Sequence, residues 1–113
     1  MIFSSELIKG TLKTIVLKLL ADNNKMYGYE ITQRVKELTG DRIQLTEGAL
    51  YPTLHALEAE GLVTTELEYM GKRARKYYTL SDTGHGRSKE RVSEFADFVE
   101  TMKLLLDIQP KTA

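Results

Sequence analysis

Four cationic residues, Lys72, Arg73, Arg75 and Lys76, fall between positions 72 and 76 with no acid among them. Such a cluster can follow a sugar-phosphate backbone or reach a minor groove, where attraction to phosphate does not depend on base sequence. The segment ahead of it carries a different chemistry. Thr46 to Val63, TEGALYPTLHALEAEGLV, has no Lys or Arg, yet Thr46, Glu47, Thr53 and His55 are of types that read DNA. Threonine meets a base edge or a thymine methyl, glutamate accepts from a cytosine amino group, and His55 donates to a phosphate or a base. Gly48 lets the backbone approach a phosphate near a helix N-terminus, where free N–H groups and the dipole favour an anion. Tyr51 adds a hydroxyl on an aromatic body. Against this, the basic run also fits a solvated hairpin, and Gly48, Tyr51 and Pro52 also fit residues that only shape and pack a helix.

Charge is segregated along the chain although its sum is zero. From Asp41 to Tyr69, Arg42 is the one basic residue besides His55, set against Asp41, Glu47, Glu58, Glu60, Glu66 and Glu68. A generic polybasic binder is therefore excluded, but a local basic anchor is not. The 113 residues have the size of one domain. No cysteine is present, which removes disulfides, thiolate nucleophiles and zinc-finger ligand sets and fits a cytoplasmic setting. The apolar N-terminal run is interrupted by Glu6, Lys9 and Lys13, so neither a signal peptide nor a membrane span is expected, and the protein should be soluble. His55 and His85 stand without the spaced ligands of a metal site or a triad. No enzyme activity, metal or cofactor is expected.

The elements that would position these residues follow from apolar spacing and caps. Leu7, Ile8, Leu12, Ile15, Val16, Leu19 and Leu20 predict a first helix over about 5–21, and Tyr27, Ile31, Val35 and Leu38 a second over about 27–39. Thr46 is a good N-cap for a third, with Leu50, Leu54 and Leu57 on its apolar face and Gly61 at its stop. Pro52 costs about 3 kcal/mol inside a helix; either that helix bends, or its regular part begins at Pro52. Residues 62–69 and 74–80 read as a β-hairpin around Met70-Gly71-Lys72-Arg73, with Arg75 and Tyr77 on one face and Lys76 and Tyr78 on the other. Not all four cations can then serve one ligand, and Lys72 and Arg73 at the tip are favoured. Ser81 caps a last helix that runs to about Ile108, with Pro110 beyond. The fold class is mostly α with a small β-hairpin: a winged helix-turn-helix over 1–80, a long C-terminal helix over 81–109, and a tail at 110–113. In that fold the third helix enters the major groove and the hairpin wing reaches along the backbone.

On the last helix Val92, Phe95, Val99, Met102 and Leu106 step alternately by three and four, the pattern of a coiled-coil seam, with Phe98 and Leu105 widening it. Such a face pairs with a second copy or folds back on its own domain. Pairing would supply the two-fold symmetry that an inverted-repeat operator on double-stranded DNA requires.

Tyr27-Gly28-Tyr29-Glu30-Ile31, Gly48-Ala49-Leu50-Tyr51-Pro52-Thr53-Leu54, Leu57-Glu58, Glu60-Gly61-Leu62-Val63, and the stretch from Arg73 through Tyr78-Thr79-Leu80 to Gly84 resemble, in their order and spacing, the PadR family of bacterial transcriptional regulators. Each piece alone is weak; their succession over most of the chain is specific. The single helix after the wing is similar to the compact PadR-like branch. The resemblance implies a homodimeric winged helix that binds operator DNA, usually as a repressor. It also implies packing roles for Tyr27, Tyr29, Tyr77 and Tyr78, and admits a small-molecule effector pocket at the dimer interface, lined by Met102, Phe95 and Phe98. The competing function is a winged-helix module that binds protein rather than a specific DNA sequence.

Overall fold

The computed structural model describes residues 2–109, so Pro110 and the expected tail at 110–113 lie outside the described residues. Eight elements follow one another: α1 Ser5–Lys9, α2 Leu12–Asp22, β1 Met26–Tyr27, α3 Gly28–Leu38, α4 Glu47–Ala59, β2 Val63–Met70, β3 Arg73–Leu80 and α5 Asp82–Leu105. This is the mostly helical winged helix-turn-helix with a long C-terminal helix, and it departs from the sequence-based expectation at three places.

The single helix expected over 5–21 is two. Gly10 and Thr11 interrupt it, and the Thr11 backbone N–H and hydroxyl both donate to the Ile8 carbonyl, at 2.8 and 2.7 Å. A threonine hydroxyl that competes for a backbone acceptor, next to a glycine, ends a helix even where the apolar rhythm continues. Ile8 and Leu12, on either side of the break, are both buried. The second departure is β1, a two-residue strand that turns the hairpin into a three-stranded sheet of order β1-β3-β2. Met26 pairs with Tyr78 and Tyr27 with Tyr77, antiparallel. Third, α5 ends at Leu105 rather than near Ile108.

Val16, Leu17 and Leu20 of α2, Ile31 of α3, Leu50, Leu54 and Leu57 of α4, and Tyr78 of β3 form the centre of the core. One face each of three helices is thereby buried against the inner face of the sheet. Burial pushes the Tyr78 hydroxyl pKa up, with the neighbouring Tyr51 and Glu58 adding to the shift.

The start of α5 is fixed twice by Ser81, whose hydroxyl donates to the Gly61 carbonyl at 2.7 Å and accepts from the Gly84 N–H at 3.0 Å. From there α5 packs along α2, with Gly84 and Ser88 buried and Arg91 Nε donating to Thr14 Oγ1 at 3.2 Å. The contact stripe therefore steps Gly84, Ser88, Arg91. It lies ahead of the expected seam and begins on small residues that carry no apolar signal. The fold-back alternative holds for the first turns of α5. Beyond Arg91 the helix emerges from the body, and the chain measures 54 Å along its longest axis against 25 Å along its shortest.

Candidate nucleic-acid interface

Thr46 caps α4: its side chain accepts from the Ala49 N–H at 3.2 Å, and regular helix starts at Glu47. Pro52 is inside the helix, so the alternative in which helix begins at Pro52 is closed. Having no N–H, Pro52 leaves the Gly48 carbonyl without its partner in the helical ladder. Both residues are exposed, where water can take up that acceptor.

Glu47, Gly48, Tyr51, Pro52 and His55 are exposed along α4, opposite the buried Leu50, Leu54 and Leu57. Thr53 lies to the side. It is half-buried, and its hydroxyl donates to the Ala49 carbonyl at 3.1 Å, which leaves its methyl and its oxygen lone pairs for other contacts. Tyr51 leans the other way, across the start of α3. A methyl group placed on Gly28 would come within 2.6 Å of the Tyr51 hydroxyl oxygen, so the ring end rests directly over that backbone. Tyr51 is thus at once a packing residue and part of the outer surface.

The hairpin divides its cations as follows. Lys72 and Arg73 are exposed at the tip and make no ion pair among the described residues. The Arg75 guanidinium sits 4.3 Å from the centre of the Tyr27 ring, a cation–π contact. Lys76 is engaged from the other face, 3.8 Å from Glu58 Oε1. Glu58 also accepts from Thr65 Oγ1 at 3.2 Å, tying the wing to the end of α4.

Lys25 was not singled out in the sequence, yet it neutralises much of the acid on the wing. Its ammonium lies 2.6 Å from Glu68 and 3.3 Å from Glu66, and the hydrogen bonds it donates to them, that to Glu68 foremost, raise its pKa. Lys13 pairs with Glu60 at 2.9 Å. The acidic run along the chain is therefore largely offset in space by lysines from other elements. The one signal available beforehand was the isolated cation just ahead of the second helix.

On α5, Val92, Phe95, Phe98, Leu104 and Leu105 are exposed, as is Leu106 at its C-cap, with Leu104 84% and Leu105 73% accessible. Val99 and Met102 are half-buried. A groove of about 750 Å³ between α1 and α5 has Leu7, Phe95 and Phe98 in its walls; Met102, expected beside them, is not a wall residue. Among the described residues no group of three or more His, Cys, Asp or Glu could hold a metal ion. No helix among them is long and apolar enough to cross a membrane.

A capped helix with one face left uncovered, next to a hairpin with a basic tip, defines a winged-helix DNA-binding protein. Residues 16–90 match the Transcriptional regulator PadR-like family. The chain belongs to this family, whose members are DNA-binding transcriptional regulators rather than enzymes. An uncharacterised protein of Lysinibacillus sphaericus is 31% identical over 106 residues, covering 91% of this chain and 94% of that one. The Negative transcriptional regulator PadR of Bacillus subtilis is 32% identical over 93 residues, 81% of this chain but 50% of that protein, so the chain spans about half of that relative. Among solved structures, a PadR family transcriptional regulator from Eggerthella lenta superposes with a TM-score of 0.79 at 29% identity, covering 92% of this chain and 88% of the other. A transcriptional regulator from Clostridium thermocellum gives 0.78 at 28% identity, covering 95% and 100%.

Proposed function

We propose that the protein is a sequence-specific repressor that binds an inverted-repeat operator as a homodimer, with residues 1–80 on the DNA and α5 pairing the subunits. The outer face of α4, from Thr46 to His55, reads the major groove, and Lys72 and Arg73 hold the backbone. One observation carries this reading: α4 leaves Glu47, Gly48, Tyr51, Pro52 and His55 uncovered while the hairpin tip carries two exposed cations with no ion pair among the described residues. Glu47 and His55 supply an acceptor and a donor for base edges, and Thr46 and Gly48 sit where the helix N-terminus favours a phosphate. The negative regulation named for the Bacillus subtilis relative supports repression. A cytoplasmic location follows from this function, since operator DNA is there.

Helix and wing should fail differently. Replacing Lys72 and Arg73 with glutamine should weaken all sequences alike and reduce the salt slope by roughly one for each lost phosphate contact. Glu47→Ala should instead change which sequence is preferred, with about 1–3 kcal/mol lost at the contacted base pair. Titrations of operator and random duplexes over a range of salt read both effects. Equal losses on both duplexes for Glu47→Ala, and likewise for His55→Ala, would remove α4 as the reading helix and favour the protein-interaction alternative.

A further inference from the structure

Glycine is the poorest helix former after proline, yet Gly28 opens α3. Its φ lies outside the left-handed region, so nothing in the backbone conformation calls for glycine. What calls for it is Tyr51. A methyl group on Gly28 would meet the Tyr51 hydroxyl oxygen at 2.6 Å, Cζ at 2.9 Å and Cε1 at 3.2 Å. The glycine side of this contact is fixed. Tyr27, just ahead, pairs with Tyr77 of β3, donates its N–H to Glu30 Oε1 at 3.1 Å, and has its ring between the Tyr77 ring and the Arg75 guanidinium. The tyrosine side is not fixed in the same way, because the Tyr51 ring end hangs from α4 by two torsions and is partly in water. Pressed by a larger residue at position 28, the ring yields before the backbone does. Inward it meets the core, where its neighbour Tyr78 is buried. It therefore yields outward, from the exposed face of α4.

We propose that Gly28 is a positioning residue for DNA binding: its missing side chain lets Tyr51 lie back across the start of α3 and keeps the ring from standing off α4 into the major groove. Glu47, Gly48 and His55 can then come up to the base edges. Non-bonded carbons rest about 3.5–4.0 Å apart, so a methyl at position 28 lifts the ring end by about 1 Å. A helix with its side chains is about 10–12 Å across and the major groove about 12 Å wide, which leaves little room for that displacement. Gly28 thus differs from a glycine that serves packing alone: the group it would strike is the far end of a side chain, and the cost of filling it falls on recognition rather than on folding. This inference rests on the DNA-binding reading above.

The test is a double-mutant cycle. Gly28→Ala, Tyr51→Ala and the double variant are made in the full chain, and melting temperature is measured beside affinity for a duplex recovered by selection from fragmented genomic DNA. Salt is kept low enough for the Tyr51→Ala protein to bind measurably. Gly28→Ala should melt as high as wild type or slightly higher, and should bind roughly tenfold more weakly. In the Tyr51→Ala background the same change should alter affinity by less than about twofold, since no ring remains to be displaced. A Gly28→Ala protein that binds as wild type does overturns the proposal and leaves the DNA-binding reading standing. So does an equal loss in both backgrounds, which would mean that the bare backbone of Gly28 itself approaches the DNA. A melting temperature lowered by several degrees also overturns it, because the start of α3 and not the ring would then be what yields. Wild type that binds no duplex takes away the DNA-binding reading and this inference with it.

Discussion

The double variant Phe98→Glu, Leu105→Glu should sediment as a monomer and lose operator affinity by roughly a hundredfold or more. Both side chains are exposed in the single chain, at 54% and 73%, and the one aromatic neighbour given up, Phe95, is itself exposed, so melting should be little affected. In a pair of subunits joined along α5 the same positions are covered, and their burial contributes on the order of 25 cal/mol per Å² of apolar surface. Glutamates there would face a low-dielectric seam, and each other across the two-fold axis. Affinity falls because two half-sites bound by one dimer make the second contact intramolecular, an advantage of about 10²–10⁴ that separate subunits forfeit. Analytical ultracentrifugation and titration on an inverted repeat measure the two effects. An unchanged dimer mass would reject α5 as the interface; a monomer with full affinity would reject the two-half-site operator.

Gly84→Ala should be the most damaging single-methyl change in the chain. In most helices this substitution stabilises, by roughly 0.5–1 kcal/mol. At Gly84 the sign reverses, because the added carbon would collide with the Leu62 carbonyl oxygen. That oxygen is backbone and already accepts the Ser81 N–H at 3.0 Å, so no rotamer change relieves the clash. Helix α5 must back away from the sheet, at a cost of about 1–3 kcal/mol for an overpacked contact, or roughly 5–15 °C in melting temperature. Gly86 provides the control: it is in the same helix with nothing within 4 Å of the added carbon, and Gly86→Ala should melt slightly higher than wild type. If Gly84→Ala melts as high as Gly86→Ala, the close seating of α5 on Leu62 is wrong.

What could be read in advance was local. Thr46 and Ser81 announce their helices because a cap is a bond across three residues, and the hairpin follows from strand-forming runs on either side of Gly71. The break at Gly10 and Thr11 was hidden by an apolar rhythm that runs straight through it. Strand β1 is two residues long, too short for any alternation to show, and exists only because Tyr77 and Tyr78 are there to pair with it. The docking stripe of α5 escaped because Gly84 and Ser88 serve by being small, which no hydrophobic pattern registers. For the candidate interface, residue types on α4 and at the wing tip were visible. Which cations are occupied was not, since Lys25 meets Glu66 and Glu68 across some forty positions of sequence.

The sheet order also bears on how the chain avoids its own kind. As an outer strand of the order β1-β3-β2, β2 presents an open edge along its length, and with β1 two residues long the other edge of β3 is uncovered from Arg73 to Lys76. Unpaired strand edges are templates for amyloid-like stacking, and proteins that must keep one exposed guard it with charge. Here Glu66 and Glu68 alternate with Leu67 and Tyr69 on one strand, and Arg73, Arg75 and Lys76 stand on the other. A second hairpin arriving in parallel, in-register fashion would set carboxylate beside carboxylate and cation beside cation. The wing's charges thus act as gatekeepers against fibril growth, letting an apolar tip remain in water at the concentrations a cell requires.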